Sequence, residues 1–373
     1  MKFLEGTAMI KSCDSGSLPL IADEREFLEG ATSPQAREGK PIRYFERKVA
    51  EALLDKFEAG IDVPHYPQFR DMNEMFLEMI NGVEKGTEGY METGILSLKA
   101  GKSRIPEVSA IEKASPEIYE KLRSAFKLRV GVTGPYTLSS LFVYRDSELF
   151  SRLGDVILQI AEGNVFSRKH GGVVLVAVDE PTFGLLDDPL IDQGSEGREN
   201  LRKAWDSIFR KASSKGMQTC LHLHSTTDKL FWDVESLNII ESHVDDSLYD
   251  VRGTRELLES TDRFLKASIC ITDFDKLIRN KIRCDSEQEL NEVAANQRVA
   301  EAWKEIAHRR LNPRTFLEDE KTMQKRLVRI VESFGEERVP YAGPECGLRS
   351  FPTYESAIEC LSRVSETVKK LQD

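Results

Sequence analysis

The sequence predicts an α/β fold built as a (β/α)8 TIM barrel, with helical insertions after strands two and seven. Eight short apolar stretches have the length and composition of strands, and long amphipathic stretches separate most of them. This alternation of strands and helices predicts parallel pairing, and eight such units close a barrel. A doubly wound sheet is the alternative, but no Gly-x-Gly-x-x-Gly turn follows any of the strands.

The predicted elements alternate along nearly the whole chain. In order, the predicted strands run from Met9 to Cys13, Gly60 to Val63, Leu128 to Val132, Val173 to Val178, Thr219 to Leu223, Asn238 to Glu241, Leu265 to Ile271 and Val339 to Ala342. Amphipathic helices are predicted over Arg47 to Glu58, Leu149 to Lys169, Glu199 to Lys215 and Thr254 to Ser260.

Two connections, 64–127 and 273–338, are longer than one helix requires. The first is predicted to hold a helix that buries a methionine- and phenylalanine-rich face, formed by Met72, Met75, Phe76 and Met79. The second is predicted to hold two or three charged helices. Insertions of this length at the active-site face of a barrel often form lids or walls of the substrate site.

Length and charge limit the classes of function. The 373 residues are interpreted as one domain, 1–373, because a barrel with insertions reaches this length. A net charge of −11 argues against nucleic acid or an anionic membrane as the partner. The segment Met1 to Glu5 has no signal-peptide pattern and the six cysteines form no disulfide framework, so we expect a cytoplasmic location.

Four residues at predicted strand ends have the chemistry of a zinc site. His222 and His224 are two residues apart in a strand, so they face the same side. Glu241 ends the next strand, where a buried carboxylate is costly unless it is paired or bound to a cation. Cys346 follows the last strand. Zinc usually takes four ligands from imidazole, thiolate and carboxylate groups, so His222, His224, Glu241 and Cys346 are the predicted ligands.

Each of these residues also has a plainer interpretation. A histidine can be a hydrogen-bonded core group, Glu241 can cap a helix or form a salt bridge, and a single cysteine often fills a small apolar space. The metal hypothesis gains weight because all four would lie at the C-terminal ends of strands five, six and eight, where barrel enzymes keep their active sites. Asp179 and Glu180 end strand four, and Asp179 is a candidate partner for an ammonium group.

The chain resembles the catalytic barrel of the cobalamin-independent methionine synthase family, within the superfamily that includes uroporphyrinogen decarboxylase. The motifs that carry this resemblance follow the family's order and span nearly the whole chain. They are Gly16-Ser17-Leu18-Pro19, Arg70-Asp71-Met72, Thr133-Gly134-Pro135, Asp179-Glu180-Pro181 and Glu345-Cys346-Gly347-Leu348-Arg349. The sequence accounts for one barrel of the C-terminal type, so it resembles the short, single-barrel members.

This resemblance implies a zinc-dependent methyltransferase that moves a methyl group from a methylcorrinoid protein or a methylated pterin to a small thiol, as in methionine biosynthesis. Zn²⁺ held by the four predicted ligands would bind the thiol as a thiolate, which is the nucleophile. The predicted substrate-binding residues are Ser17, Tyr66, Gln68, Asp179, Glu180 and Asp273.

The chain departs from the family's pattern at three places. His224 stands where the family has a cysteine ligand. Residues 65–68 contain no acid, whereas the family places a glutamate there to hold the amine of the substrate. Residues 271–275 contain acids but no histidine, whereas the family has an Asp-x-His after strand seven. The predicted ligand set therefore carries one negative charge fewer than the family's. We expect homocysteine to be a weak acceptor, and a thiol without an α-amino group or with a different polar tail to be preferred.

Two other classes of function remain alternatives. One is a hydrolase or lyase, in which a more electrophilic zinc activates water or a carbonyl group. The other is a non-catalytic relative that holds a metal or a ligand. Sulfur that enters the metal's coordination shell when a thiol is added distinguishes methyl transfer to a thiol from both.

Overall fold

Parallel strands that alternate with helices form the centre of the molecule. The structure, a computed structural model, describes residues 9–20, 23–32, 39–286 and 291–371. The strands are β1 (Lys11–Ser12), β2 (Ile80–Lys85), β3 (Tyr90–Leu98), β4 (Phe126–Thr133), β5 (Ser167–Arg168), β6 (Gly171–Glu180), β7 (Gln218–Leu223), β8 (Ile239–Glu241), β9 (Phe264–Cys270) and β10 (Tyr341–Pro344). The helices are α1 (Glu24–Thr32), α2 (Lys40–Glu58), α3 (Glu74–Leu77), α4 (Pro106–Leu122), α5 (Pro135–Ser139), α6 (Leu149–Gly163), α7 (Glu196–Ser214), α8 (Val251–Thr261), α9 (Phe274–Asp285), α10 (Glu292–Ala307), α11 (Glu320–Phe334) and α12 (Tyr354–Lys370).

The main sheet is parallel and curled. Its strands lie in the order β1, β10, β9, β8, β7, β6, β4, with the short β5 paired antiparallel to β6. Residues 63–65 lie between the two edge strands: the Val63 amide donates to the Ser12 carbonyl at 3.0 Å, and the Arg129 amide donates to the Pro64 carbonyl at 2.8 Å. The α/β class and the parallel pairing predicted from the sequence are therefore confirmed.

Seven of the eight predicted strands are present, with ends that differ by at most two residues. The second predicted strand, Gly60 to Val63, is not a continuous strand. This part of the chain pairs through single bridges, Cys13 with Val63 and His65 with Arg129. Two amides of this stretch are used elsewhere: that of Ile61 donates to the Lys56 carbonyl at 3.1 Å and that of Asp62 to the Ser12 hydroxyl at 2.9 Å. Pro64, which follows, has no amide hydrogen with which to extend a ladder.

The connection 64–127 differs from its prediction. The helix expected over Met72 to Met79 is reduced to the four-residue α3, and the antiparallel hairpin of β2 and β3 follows it. Gly82 has a φ of +76°, and a Cβ there would lie 2.7 Å from the carbonyl oxygen of Gly94, so the irregular hairpin needs glycine. The connection 273–338 holds α9, α10 and α11, as the sequence predicted.

The interior of the curled sheet changes from apolar to charged along the strands. Residues two apart on a strand share a face, and an apolar cluster inside the sheet is formed by Cys13, Val63, Leu175, Ala177, Cys220, Ile239 and Tyr341. A row of polar residues lies two positions further along the strands, toward their carboxyl ends. The strand register places its four members side by side on neighbouring strands: Asp179, His222, Glu241 and Lys266. Helices cover the outer face with a larger apolar cluster.

Among the described residues, no helix combines the length and the apolar character that crossing a membrane requires.

Candidate metal centre

Three histidines and one cysteine meet at the carboxyl ends of β7, β8 and β10. One nitrogen or sulfur atom from each of His222, His224, His243 and Cys346 lies within 4.8 Å of the others. The Cys346 Sγ is 3.5 Å from Nε2 of His224, and the ring centroids of His224 and His243 are 4.0 Å apart. We call these four residues the His/Cys group.

The turn after β10 is fixed against the neighbouring loops. Glu345, which is buried, accepts hydrogen bonds from the amides of Val244 and Thr272, each at 2.9 Å. These two bonds tie the turn to the chain that follows β8 and to the chain that follows β9. The Glu345 carboxylate therefore holds the next residue, Cys346, beside the three histidines.

The donor chemistry of the His/Cys group fits zinc. Nε2 of His222 and Nε2 of His243 are buried without a hydrogen-bond partner, and buried polar atoms normally have one. Zinc binds imidazole nitrogen and thiolate sulfur at about 2.0–2.3 Å, which places tetrahedral donors about 3.3–3.8 Å apart. Donor atoms that already lie within 4.8 Å of one another need only small shifts to reach this geometry.

Glu241, the remaining predicted ligand, lies outside this group. Its fully buried carboxylate is 2.8 Å from Nη1 of Arg129 and 2.5 Å from Nζ of Lys266. The Ser15 hydroxyl donates to Oε1 at 2.8 Å, and Nδ1 of His222 lies 3.4 Å from the same oxygen. The structure thus brings three of the four predicted ligands together, adds His243, and places Glu241 in a salt bridge.

Burial and neighbouring charges shift the pKa values of these groups. Burial lowers the pKa of His222, but the Glu241 carboxylate and Cys346 raise it to about 10. Burial and the charge of His222 lower the pKa of His224 to about 2 and that of His243 to about 4. Against the effect of burial, Arg129 and Lys266 hold the pKa of Glu241 well below its ordinary value. His224 and His243 are therefore neutral imidazoles with a lone pair available.

Asp179 and His65 meet beside Gly131 in the interior. A Cβ on Gly131 would lie 2.4 Å from Nε2 of His65 and 2.7 Å from Oδ2 of Asp179, so a larger residue would fill the space between them. Nδ1 of His65 is 2.7 Å from the Tyr66 carbonyl oxygen, which can only accept, so Nδ1 carries the proton and Nε2 is an acceptor. Nε2 of His65 and Oδ1 of Asp179 are buried without a hydrogen-bond partner. Together they can receive a donor group.

Three other predicted substrate residues lie around this interior. Ser17 packs against the turn that carries Cys346: the Leu348 amide donates to the Ser17 carbonyl at 2.8 Å. Tyr66 and Gln68 are buried, and the Tyr66 hydroxyl donates to the Gly131 carbonyl at 3.2 Å. The Gln68 amide donates to the Tyr66 hydroxyl at 3.4 Å.

The last two predicted substrate residues, Glu180 and Asp273, form hydrogen bonds within the protein. The buried Glu180 carboxylate accepts from the amides of Tyr136 and Thr137, at 3.0 and 2.6 Å, and from the Trp205 indole at 2.8 Å. These bonds anchor the start of α5. Asp273 is exposed and accepts from the Lys276 amide at 3.0 Å, which caps α9.

Sequence reasoning missed four residues of this site: His65, Arg129, His243 and Lys266. A usable signal existed for His243, which follows Glu241 by two residues and so repeats the spacing of His222 and His224. Arg129 and Lys266 gave no comparable signal, because a charged residue in an apolar strand is normally assigned to the solvent side.

No family model matches the chain. The 5-methyltetrahydropteroyltriglutamate–homocysteine methyltransferase of Thermotoga petrophila is 23% identical over 176 residues, which cover 45% of this chain and 23% of that enzyme. The chain thus matches about a quarter of the length of this curated relative.

Solved structures share the fold over nearly the whole chain. A B12-independent methionine synthase from Shewanella sp. W3-18-1, in complex with selenomethionine, has a TM-score of 0.60 and 14% identity, covering 98% of both chains. A putative B12-independent methionine synthase from Listeria monocytogenes has a TM-score of 0.55 and 15% identity, again covering 98% of both chains. The resemblance to cobalamin-independent methionine synthases is confirmed. A methyltransferase from Methanosarcina mazei, with a TM-score of 0.53 and 14% identity, covers 98% of this chain and 95% of its own.

Proposed function

We propose that this protein is a zinc-dependent methyltransferase that moves a methyl group from a methylcorrinoid protein or a methylated pterin to a small thiol. One observation carries the proposal: His222, His224 and Cys346 converge with His243 at the carboxyl ends of a parallel sheet. The fold around them is shared with B12-independent methionine synthases, and the Thermotoga relative is named for methyl transfer to homocysteine.

The proposal includes a finer view of the fold. We interpret the curled sheet as a (β/α)8 barrel in which residues 63–65 act as the second strand, and residues 1–373 as one domain. The hydrogen bonds of Val63 to Ser12 and of Arg129 to Pro64 support this interpretation. In that barrel the connections 64–127 and 273–338 are the insertions after strands two and seven.

Each part of the site has a task in this reaction. A zinc ion bound at the His/Cys group would keep a thiol deprotonated at neutral pH. His224 and His243 offer neutral nitrogens to the ion. Asp179 and Nε2 of His65 can receive a donor group on the acceptor's tail and so orient it.

The transfer itself is a substitution at the methyl carbon. The thiolate sulfur supplies an electron pair and forms the new sulfur–carbon bond. The methyl–cobalt bond of the corrinoid, or the methyl–nitrogen bond of the pterin, breaks at the same carbon, and its electron pair stays with the donor. The proton lost by the thiol passes to solvent, and with the pterin as donor the departing nitrogen takes up one proton from solvent. The products are a thioether and the demethylated donor.

The test uses the purified protein loaded with one equivalent of zinc. Methylcobalamin or a methylated tetrahydropterin is the donor, and the acceptors are a panel of thiols that includes homocysteine and 2-mercaptoethanesulfonate. We expect a thioether, detected by mass spectrometry, with at least one thiol. Cys346→Ser should abolish its formation, whereas Cys284→Ser, an exposed cysteine on α9, should leave it unchanged.

Two results would contradict the proposal. Turnover of esters or amides, with no thioether from any donor and thiol, would favour the hydrolase class. A purified protein that takes up no zinc would favour a non-catalytic relative. Sulfur that enters the zinc shell when a thiol is added, measured by X-ray absorption, would support the proposal independently of turnover.

A further inference from the structure

We propose that His243, and not Glu241, completes the metal site, so that three imidazoles and one thiolate bind the ion while Glu241 positions His222. The inference rests on the zinc site of the proposed function, but it does not depend on methyl transfer. It differs from the ligand set that the sequence predicts, because it exchanges a carboxylate for an imidazole.

The position of His243 is the first observation. Its ligand-type nitrogen lies within 4.8 Å of those of His222 and His224 and of the Cys346 sulfur. Its ring centroid is 4.0 Å from that of His224 and 6.1 Å from that of His222. Nε2 of His243 is buried and has no hydrogen-bond partner. A ring nitrogen in this position is available to a metal ion.

The surroundings of Glu241 are the second observation. Glu241 stands between His222 and Lys266 in the parallel register, so its carboxylate lies one strand away from each. Oε1 is shared by the Lys266 ammonium and the Ser15 hydroxyl, and Oε2 faces Arg129. Lys266 and Arg129 are both fully buried. If Glu241 turned to the metal, these two cations would lose their anion inside the protein, which is strongly unfavourable.

Glu241 retains a task next to the metal. Its Oε1 lies 3.4 Å from Nδ1 of His222. A metal-bound histidine usually donates its other ring N–H to a carboxylate, which fixes the tautomer and the orientation of the ring. In this arrangement Nδ1 of His222 carries the proton and points to Glu241, and Nε2 faces the His/Cys group. Glu241 is therefore a positioning residue.

The exchange changes the charge of the site. Metal binding at Nε2 of His222 would release the proton of that nitrogen. Three neutral imidazoles and one thiolate then carry one negative charge, so a zinc ion bound by them would keep a net charge of plus one. The carboxylate of Glu241 is already neutralised by Arg129 and Lys266 and does not offset this charge. The proposed site therefore attracts an anionic thiolate more strongly than the carboxylate-containing set would.

X-ray absorption of the zinc-loaded wild-type protein tests the inference without a variant. We expect one sulfur and three imidazoles, counted from the multiple-scattering pattern. In His243→Gln the imidazole count should fall to two. In Glu241→Gln it should remain three, while zinc affinity falls by about 10–100-fold, as for other partners of metal-bound histidines. The Nδ1–H proton resonance of His222 should move upfield in Glu241→Gln and remain in place in the surface control Glu256→Gln.

The opposite pattern would overturn the inference. Two imidazoles in the wild-type shell, unchanged in His243→Gln, together with loss of an oxygen scatterer in Glu241→Gln, would make Glu241 the ligand. A protein that binds no zinc would defeat both this inference and the proposed function. Three imidazoles in a protein that forms no thioether would support this inference and defeat only the proposed function.

Discussion

Asp179 is the acid of the site that is best placed to meet a substrate amine, but its carboxylate already has a cationic neighbour. Burial raises its pKa, and Nη2 of Arg129 lies 3.8 Å from its Oδ1. The histidine beside it, His65, has a pKa lowered to about 3 by burial and by nearby cations, so it stays neutral. This pair suits a neutral donor group better than an ammonium group.

We therefore expect homocysteine to bind the zinc-loaded protein at least about tenfold more weakly than a thiol of similar size without the α-amino group, which corresponds to about 1.4 kcal/mol. An ammonium group would meet one partly neutralised carboxylate, and an unpaired buried charge is penalised. Calorimetric titration of a thiol panel measures the difference. Tight homocysteine binding that disappears in Asp179→Asn and survives in Gln68→Ala would show that one acid is sufficient.

At the scale of elements, Glu180 links strand to helix. Burial raises its pKa to about 7 although three N–H groups donate to it. A group whose pKa is higher in the folded than in the unfolded protein stabilises the fold fully below its unfolded value and loses that contribution as the pH rises through the folded value. The ordinary value is 4.5, so the window runs from about pH 4.5 to above pH 7.

Because Glu180 titrates in this way, we expect the free energy of unfolding to fall by up to about 3 kcal/mol as the pH rises from about 4.5 to above 7. Glu180→Gln cannot titrate and should remove this part of the pH dependence, whatever its effect on absolute stability. Denaturant unfolding at a series of pH values measures the slope, with Glu256→Gln on the exposed face of α8 as the control. Equal slopes in the wild type and Glu180→Gln would contradict the assignment.

The contact of β1 with β10 requires a glycine. A Cβ on Gly343 would lie 1.8 Å from the carbonyl oxygen of Cys13. The strands cannot separate easily there, because the Cys13 amide donates to the Ala342 carbonyl at 2.9 Å. A side chain at Gly343 would therefore force two paired strands apart.

Gly343→Ala should lower the free energy of unfolding by about 1–3 kcal/mol or more, as for other overpacked sites. Gly253→Ala is the matched control: nothing lies within 4 Å of its Cβ position in α8, and alanine in a helix should stabilise by about 0.5–1 kcal/mol. Denaturant unfolding compares the two. A loss of stability in Gly253→Ala as large as that in Gly343→Ala would count against the close approach of the strands.

At the scale of the whole molecule, the His/Cys group joins residues at the carboxyl ends of three different strands. A ligand that binds the folded but not the unfolded chain adds RT ln(1 + [L]/Kd) to stability, about 2.7 kcal/mol at a free concentration of 100 Kd. Zinc should therefore stabilise the wild-type protein by about this amount at that excess. The apolar core around the curled sheet does not depend on the ion, so the zinc-free protein should remain folded.

Cys346→Ser should lose most of this gain and Cys284→Ser should keep it. Denaturant unfolding with and without zinc, together with metal analysis of about one zinc per chain, measures the effect. The same stabilisation of Cys346→Ser and the wild type would mean that zinc acts elsewhere.

By itself, the sequence determined the fold class and the strands that carry the site. Strand-like apolar runs and the spacing of amphipathic stretches are local properties, so β4, β6, β7, β8, β9 and β10 could be located within two residues. The hairpin of β2 and β3 was missed because methionines at helical spacing outweighed the glycines that bend it. The pair His222 and His224 and the turn with Cys346 were found for the same local reason: their spacing and motif stand in the sequence.

Only the tertiary structure decided what each polar residue faces. Glu241 was compatible with a metal ligand and with a salt bridge, and the choice depends on Arg129 and Lys266, which lie 112 and 25 residues away in the chain. Strand register placed His222 and Lys266 on either side of the Glu241 carboxylate. The curl of the sheet brought Arg129 to it from β4, and chain direction after β8 carried His243 to the other histidines. A buried charge is stable only beside its partner, and the partner is brought by the fold, not by the neighbouring sequence.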